Sequence, residues 1–280
     1  MNTLAKIEEE CDLRGYSNKT KEAYIYHIRD FLSFIKKDPK LANINDVRAY
    51  ILSKNTKPVS INLALSAIKF LYIEIYKRYS FNKLKSLKKE KHVPIVLPKS
   101  DIENMIRNTP NIKHKLLIEL LYSSGLRVSE AVNLKLENIR QDEKIAIIKG
   151  KGKKERFVIL SDRFILRMKV YLEERNSKSP YLFNNNISHI TVRTVEQVIK
   201  QAAKNANIAY RVHPHALRAS FATHLHANGV AEFNIQKLLG HSDIRTTRHY
   251  TLNNPELLKK IQSPLDAETW LDIIIKNKLI

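Results

Sequence analysis

Apolar residues recur at helical spacing through the first part of the chain. One set has the i, i+3, i+4 pattern of a buried helix face and consists of Tyr24, Ile28, Phe31, Leu32 and Ile35. A second set follows Pro58, where Ser60 is placed to cap a helix, and consists of Leu63, Ile68, Leu71 and Ile75. We therefore expect residues 1–82 to form a helical domain.

Residues 83–98 break this pattern. Their first part is rich in lysine, and Pro94 and Pro98 favour extended backbone at and just before each proline. We interpret this stretch as a basic linker, which either contacts phosphate or is a solvated connection. The spacing of Ser100 and Glu103 matches a capping box, so a new helix is expected to start there.

The apolar period changes once within the second domain, residues 99–280. Short β-branched runs at Ile145–Ile148 and Phe157–Leu160 flank the basic stretch Gly150–Glu155. This arrangement predicts a β-hairpin with a basic tip. Helical spacing precedes the hairpin and returns from about Asp162. The predicted fold class is mainly α with a small antiparallel β-sheet, in two domains.

The charge of the chain points to a nucleic-acid partner. The formal net charge is +21 and the pI is near 9.9, and a pI above about 9 is typical of nucleic-acid binders. A membrane-surface binder or a merely soluble basic protein is the alternative. Residues 1–50 carry 9 basic and 8 acidic side chains, whereas residues 51–97 carry 10 and 2. The second stretch is therefore the better candidate for a DNA-facing surface.

Cysteine usage and the N-terminus indicate the compartment. Cys11 is the only cysteine, so neither an intrachain disulfide nor a cysteine-based zinc site is possible. Met1–Glu10 are charged and lack the apolar core of a signal peptide. No apolar run approaches the roughly 18 residues that a membrane span needs. We expect a cytoplasmic protein with no membrane partner.

Side chains that handle phosphate are collected in the second domain. They lie in short motifs and are Arg127, Lys151, His215, Arg218, His241 and Tyr250. A free tyrosine has a pKa near 10, so its attack on phosphorus needs a neighbouring base and a cationic surround. Guanidinium groups match the charge of a phosphoryl transition state. Glu130 follows Arg127 by one turn and is placed to hold that arginine.

Lys151 lies at the predicted hairpin tip. An ammonium group there can protonate a 5′-alkoxide leaving group, which is worth roughly 10²- to 10⁴-fold in rate. Lys153 and Lys154 compete for this role. The tip does not match Gly-x-x-x-x-Gly-Lys-Ser/Thr, which excludes a nucleotide-binding P-loop.

A metal site is the competing interpretation, because six of the ten histidines fall between residues 213 and 249. Against it, this stretch has no His-Glu-x-x-His pattern and no cysteine. Magnesium nucleases need carboxylates, and Glu232 and Asp243 are the only acidic residues between 213 and 250. We predict neither a metal nor a cofactor.

These motifs resemble the tyrosine recombinase (phage integrase) family, and most closely its Xer branch. The matching stretches in the second domain are, in order, Gly125–Glu130, Gly150–Arg156, Pro214–Arg218, Ser220–Leu225 and Leu238–Asp243. Tyr250 then falls where the family has its nucleophile. In the first domain, Ser17–Tyr24 and Leu65–Lys69 resemble the family's helical core-binding domain. Each motif is weak alone, but six in order at family-like spacing are specific.

The resemblance implies a role for each residue. Tyr250 would attack the scissile phosphate, leaving a 3′-phosphotyrosyl link and a free 5′-hydroxyl. The 5′-hydroxyl of a partner strand would then attack that link, so neither ATP nor metal is needed. Arg127 and Arg218 would stabilise the pentacoordinate phosphorus. Lys151 would be the general acid and His215 the general base. His241 would donate a hydrogen bond to a non-bridging oxygen.

The resemblance also implies an architecture and partners. A C-shaped clamp made of the helical core-binding domain and an α+β catalytic domain would close around double-stranded DNA, and a homotetramer would hold two duplexes. An apolar tail would dock in trans on the neighbouring protomer, with docking on its own body as the alternative. The tail consists of Trp270, Leu271, Ile273, Ile274, Ile275, Leu279 and Ile280.

The expected role is Xer-type resolution of chromosome dimers at the nucleoid. No room is left for an arm-binding domain ahead of the core-binding helices, which favours a cellular Xer enzyme over a mobile-element integrase. Ala219 stands where Xer relatives usually have histidine, and Arg248 and His249 precede Tyr250 where apolar or amide residues are commoner. These departures leave the subfamily open. Outside the recombinases, the alternatives are a non-catalytic DNA-binding protein of this fold and a type IB topoisomerase.

Overall fold

The structure, a computed structural model, describes residues 3–88, 94–149, 155–185, 188–240 and 262–266. The chain divides into two compact units, Met1–His92 and Val93–Ile280. The helices described in the first unit are α1 Thr3–Leu13, α2 Asn18–Ile35, α3 Ile44–Leu52 and α4 Pro58–Lys69. A π-helical turn, Phe70–Ile75, continues α4, and 3₁₀ turns lie at Pro39–Leu41 and Tyr79–Lys83.

Local sequence signals explain where these helices begin. The hydroxyl of Ser17 accepts a hydrogen bond from the Thr20 amide at 3.3 Å and caps α2. Asn43 and Asp46 form a capping box at α3. α2 packs against α4, and the aromatic core between the helices includes Phe31 and Tyr50, whose ring centres are 5.2 Å apart. The predicted helical character of residues 1–82 is thus observed.

The predicted cap at Ser60 is wrong. α4 begins at Pro58, because proline has the φ of a first helical residue and no amide hydrogen to leave unpaired. Ser60 therefore lies inside the helix. Leu63, predicted on the buried face, is 40% exposed, whereas Ile68 and Leu71 are fully buried.

The stretch Pro58–Ile75 is long and apolar enough to cross a membrane by length and composition alone. The expectation that no apolar run approaches this length was therefore wrong. Half of the stretch is buried within the protein, and it packs against α2 in the core of the first unit. The core helix of a soluble protein has the same features.

The first part of the predicted linker packs on the first unit. The Asn62 side-chain amide donates to the Leu87 carbonyl at 2.9 Å, and its oxygen accepts from the Leu87 amide at 2.7 Å. Leu84 is buried nearby. These contacts leave Lys83, Lys85 and Lys88 exposed on the surface of this unit.

The second unit combines seven described helices with one sheet. The helices are α5 Lys99–Arg107, α6 Ile112–Ser124, α7 Val128–Val132, α8 Asp162–Glu174, α9 Val192–Asn205, α10 Pro214–Ala227 and α11 Glu232–Leu239. A 3₁₀ turn lies at Leu136–Asn138. α6 is central: residues 116–124 are all buried, and α5, α7, α8, α9 and α10 pack around them.

The sheet is antiparallel, with strand order β1 Ile139–Arg140, β2 Ile145–Lys149 and β3 Glu155–Ile159. The predicted pairing of the two strands is present, and the last described pair before residues 150–154 is Lys149 with Glu155. β1 was not predicted, because two residues carry too little pattern to be recognised. The predicted fold class, mainly α with a small antiparallel sheet, is confirmed.

The predicted capping box at Ser100 is also wrong. α5 begins one residue earlier, at Lys99, after Pro98, and no side chain caps it. Glu103 instead accepts a hydrogen bond from the Arg163 guanidinium at 2.6 Å. The Glu103 carboxylate is therefore used in a tertiary ion pair with Arg163 and not in a capping box.

Candidate active site

A left-handed glycine brings the first arginine of the site into place. α6 ends at Gly125, which has φ 59°, and Arg127 then becomes the N-cap of α7. A Cβ at Gly125 would lie 2.3 Å from Cδ1 of Phe221 on α10. Only glycine combines this backbone with so close an approach. The turn therefore joins the start of α7 to α10, the helix that carries Arg218.

Arg218 is buried, with 6% of its surface exposed. Its Nη1 donates to the Gly125 carbonyl and its Nη2 to the Leu239 carbonyl, each at 2.5 Å. Burial, together with the charges of Arg127 and Arg156, lowers the pKa of Arg218 to about 10, while the charge of Glu130 opposes the shift. The group is still a cation at neutral pH. A buried cation whose two hydrogen bonds go to neutral carbonyls, with the nearest carboxylate 3.9 Å away on Glu130, is well placed to gain from an incoming anion.

Arg127 is more accessible, with 38% of its side chain exposed. Its Nη1 donates to Glu130 Oε1 at 2.9 Å, and its backbone amide donates to Oε2 at 2.8 Å. Its Nη2 reaches the Gly240 carbonyl at 3.3 Å. The expectation that Glu130 would hold this arginine agrees with these contacts.

Glu130 also binds a second arginine, Arg156, for which the sequence predicted no role. Arg156, on β3, donates from Nη1 to Oε1 at 2.9 Å and from Nη2 to Oε2 at 2.8 Å. Burial alone would raise the pKa of Glu130, but the hydrogen bonds and charge of Arg156, with those of Arg127, lower it overall. Glu130 Oε2 is also 3.9 Å from Nη1 of Arg218. One buried carboxylate thus lies among three guanidinium groups.

His215 lies in the first turn of α10 and is exposed. It precedes Arg218 by three residues, so the two side chains leave the same side of the helix. The neighbouring His213 caps α10 by accepting from the Ala216 amide at 3.2 Å. The ring centres of His213 and His215 are 6.4 Å apart. These contacts give His213 a structural role and leave the His215 ring at the protein surface.

Three predicted site residues, Lys151, His241 and Tyr250, lie outside the described residues, as do Lys153, Lys154 and the apolar tail. The described residues that adjoin them in the sequence are Lys149, Glu155 and Gly240. β2 and β3 are paired up to Lys149 and Glu155, directly before and after residues 150–154. Gly240, which precedes His241, has φ 63° and lies against Arg156 and Arg127.

The short segment 262–266 is held on the second unit. Ser263 and Leu265 are buried, and the Ser263 hydroxyl donates to the Ser123 carbonyl at 3.1 Å. The Asp266 carboxylate accepts from the amides of Asp162, at 2.8 Å, and Arg163, at 3.5 Å, in the first turn of α8.

Among the residues described, no cluster of three or more His, Cys, Asp or Glu side chains is placed to hold a metal ion.

Comparison with known proteins gives a consistent result for both units. Residues 96–256 match the phage integrase family, and residues 4–80 match the phage integrase N-terminal SAM-like domain. Tyrosine recombinase XerA of Pyrococcus horikoshii is 32% identical over 274 residues, with 96% of this chain and 95% of the relative covered. Tyrosine recombinase XerC of Lacticaseibacillus casei is 28% identical over 279 residues, with 90% and 94% covered.

Solved structures show the same fold. A lambda integrase(75–356) dimer bound to a COC′ core site is similar with a TM-score of 0.68, at 17% identity, covering 89% of this chain and 98% of the integrase chain. At this identity the likeness concerns the fold. The family matches span both units and the Xer relatives cover nearly the whole chain. The chain therefore belongs to the phage integrase family of tyrosine recombinases and is a site-specific recombinase of the Xer type.

Proposed function

We propose that this chain recombines double-stranded DNA at specific sites by transesterification through a 3′-phosphotyrosyl intermediate. The observation that carries the proposal is the convergence of Arg127 and Arg218 on one carboxylate. Their Nη1 atoms lie 2.9 Å and 3.9 Å from the two oxygens of Glu130. Two guanidinium groups held side by side match the non-bridging oxygens of a phosphoryl transition state.

The charge balance of the site supports an anionic ligand. Three arginines share a single carboxylate, so the cluster is net positive. Arg218 is buried and its pKa is lowered by that burial, so its charge is costly when no anion is present. A bound phosphate offsets that cost. Arg127 is partly exposed, so an incoming phosphate contacts its guanidinium group first.

The proposed reaction has two balanced steps. The phenolic oxygen of Tyr250 attacks phosphorus and loses its proton to His215, while the P–O5′ bond breaks and Lys151 protonates the departing 5′-oxygen. His241 donates a hydrogen bond to a non-bridging oxygen. A 5′-hydroxyl from a partner strand then attacks the phosphotyrosine and loses its proton to Lys151, while the bond from phosphorus to the Tyr250 oxygen breaks and His215 returns a proton to the phenol. Lys151, His241 and Tyr250 enter by their positions in the family motifs rather than by observed contacts.

The proposed partner is a double-stranded recombination site held by four copies of the chain, with the apolar tail docking in trans. Support comes from the net charge of +21 and from the lambda integrase relative of like fold, which was solved on a core site. The Xer-named relatives support a role in resolving chromosome dimers at the nucleoid in the cytoplasm. Selection of bound duplexes from a random pool, followed by mapping to the source chromosome, tests this role. A single chromosomal site supports it, and sites bordering a mobile element contradict it.

A suicide duplex nicked beside the cut site tests the chemistry. Wild type is expected to accumulate a covalent protein–DNA adduct, and Tyr250→Phe is expected to form none because the attacking oxygen is gone. Tyr210→Phe is the matched control, since the Tyr210 hydroxyl bonds Asp101 on α5 and lies outside the arginine cluster. An equal adduct yield from Tyr250→Phe contradicts the assignment. DNA binding without any wild-type adduct indicates a non-catalytic protein, and supercoil relaxation without strand exchange indicates a topoisomerase.

A further inference from the structure

The guanidinium of Arg156 donates three hydrogen bonds within the site, whereas those of Arg127 and Arg218 donate two each. Both of its terminal nitrogens bond Glu130, at 2.9 Å and 2.8 Å, and its Nε donates to the Leu238 carbonyl at 2.9 Å. Only 14% of its side chain is exposed. All three nitrogens of its guanidinium group thus donate hydrogen bonds within the protein, so this arginine holds protein groups in place.

The end of α11 shows what Arg156 holds. Three successive carbonyls at this helix terminus each accept from a different arginine: Leu238 from Arg156, Leu239 from Arg218 and Gly240 from Arg127. The C-terminus of a helix carries partial negative charge, which favours cations there. The three arginines are therefore aligned by the same short stretch of backbone. His241 follows it directly in the chain.

The strand that carries Arg156 links this stretch to the hairpin. Arg156 is the second residue of β3 and pairs with Ile148 on β2. Residues 150–154, which include Lys151, connect the two strands. The chain also leaves no room for a bulkier residue at Gly240, where an added Cβ would lie 2.9 Å from Cδ of Arg156. Strand, helix terminus and Glu130 are thus fixed to one another through a single guanidinium group.

We propose that Arg156 is a positioning residue for phosphate transfer: it holds Glu130 and the end of α11 so that Arg127 and Arg218 face the phosphate, and it fixes the hairpin relative to both. The inference rests on the proposed function for its effect on cleavage. Its structural part, the coupling of β3, Glu130 and α11, does not depend on catalysis.

The experiment compares Arg156→Gln with Arg156→Lys and uses Arg140→Gln as control. Arg140 lies in the same sheet and pairs with a glutamate, Glu143, but at the surface. Single-turnover cleavage of the suicide duplex at saturating protein gives the rate, and titration of intact duplex gives the affinity. Hydrogen exchange across residues 155–159 and 232–240, without DNA, reports the coupling.

We expect Arg156→Gln to cleave about 100-fold more slowly, since small misplacements of reacting groups cost about that much, with an affinity within about 3-fold of wild type. Arg156→Lys keeps the charge but not the fork, so it is expected to recover less than about a tenth of the lost rate. Exchange is expected to rise in β3 and α11 together in both variants. Arg140→Gln is expected to match wild type in every readout.

Cleavage by Arg156→Lys at the wild-type rate would overturn the inference, even if Arg156→Gln fails to fold. Equal loss of affinity and cleavage would also overturn it, because that pattern indicates a phosphate contact. If wild type itself forms no adduct, the proposed function fails, and the exchange comparison decides the structural part: unchanged protection of α11 in Arg156→Lys refutes it.

Discussion

Glu130 is the side chain on which the arginine cluster depends. It is almost fully buried and bonds both Arg127 and Arg156. A carboxylate at this position neutralises part of a charge that would otherwise repel itself. It does so from the protein side, which leaves the accessible face of Arg127 for a ligand.

This arrangement predicts how stability depends on pH. The pKa of Glu130 is lower in the folded protein than its ordinary value of 4.5, so folding favours the ionised form. Its contribution is fully present above about pH 4.5 and is lost as the pH falls through the lowered folded-state pKa. Glu130→Gln is expected to lower the free energy of unfolding at pH 7 by about 3–5 kcal/mol, as for other broken buried ion pairs. The variant's own loss of stability toward pH 3 is expected to be smaller than that of wild type.

Denaturant titrations between pH 7 and pH 3 measure this difference. Glu137→Gln is the control, because Glu137 is 68% exposed in its pair with Lys135, and surface pairs contribute little. Equal pH dependence in wild type and Glu130→Gln would show that this carboxylate is not the group that links folding to protons.

Gly125 yields a second prediction at this scale. Gly125→Ala combines a left-handed backbone with a Cβ only 2.3 Å from Phe221. Gly229→Ala has only the backbone penalty, since Gly229 has φ 81° and nothing within 4 Å of its Cβ position. Overpacking typically adds about 1–3 kcal/mol, so Gly125→Ala is expected to be the less stable variant by that amount. Thermal unfolding of the two variants tests this. Equal melting temperatures would mean that the Phe221 side chain moves aside for the added methyl group without a loss of stability.

The sequence predicted these residues unevenly. Arg127, Arg218 and Glu130 were identifiable because their motifs are local and their chemistry is tied to phosphate. Arg156 ends the Gly150–Arg156 motif, yet a strand arginine that turns inward cannot be distinguished from one that faces solvent without knowledge of its tertiary partner. Its signal was its place at the start of a β-branched run, where alternation puts every second side chain inside.

At the scale of elements, the segment 262–266 packs on the second unit. Leu265 is 3% exposed, and Asp266 accepts hydrogen bonds at the first turn of α8. Carboxylates are favoured at helix N-termini. Gly240 and residues 262–266, the described residues on either side of the stretch that carries Tyr250, therefore belong to the same unit.

This attachment is testable. Leu265→Ala removes buried methyl groups, which usually lowers the free energy of unfolding by about 2–5 kcal/mol. We expect the segment 262–266 to detach before the rest of the unit unfolds. Exchange of the Asp162 and Arg163 amides should rise while the amides of β2 and β3 stay protected. Leu166→Ala, at a leucine that is 64% exposed on α8, should change neither. Unchanged protection at Asp162 in Leu265→Ala would show that Asp266 holds the segment without Leu265.

Elements were predictable where period and length agreed. α2 and the hairpin followed directly from their apolar spacing. The predicted serine caps failed at Ser60 and Ser100 because each helix begins before its serine. Pro58 is the first residue of α4, since proline's fixed φ suits that position. Pro98 is instead the N-cap of α5, with an extended ψ of 148°, so Lys99 is the first helical residue and Ser100 lies inside the helix.

At the scale of the whole molecule, we expect charge to govern association with DNA. Residues 51–97 carry a net +8 of the chain's +21, from 10 basic and 2 acidic side chains, whereas residues 1–50 carry +1. We expect DNA affinity to fall about 10³-fold or more between 50 and 200 mM salt, as for proteins with several phosphate contacts. Replacing Lys83, Lys85 and Lys88 by glutamine should reduce the salt slope by about one for each lysine that contacts phosphate.

The control replaces three exposed lysines of the balanced stretch, Lys6, Lys19 and Lys36, and should leave the slope unchanged. Fluorescence titration of a labelled duplex at four salt concentrations gives both slopes. Equal salt slopes for the two triple variants would show that the DNA-facing surface does not include residues 83–88.

The central claim is that Tyr250 becomes joined to DNA. Trapped adduct from the suicide duplex can be digested with protease and nuclease and its peptides sequenced by mass spectrometry. We predict one modified peptide, with a 3′-linked nucleotide phosphate on the Tyr250 oxygen and none on the other eleven tyrosines. A phosphate linkage at any other residue, or a 5′-phosphate linkage at Tyr250, would contradict the account.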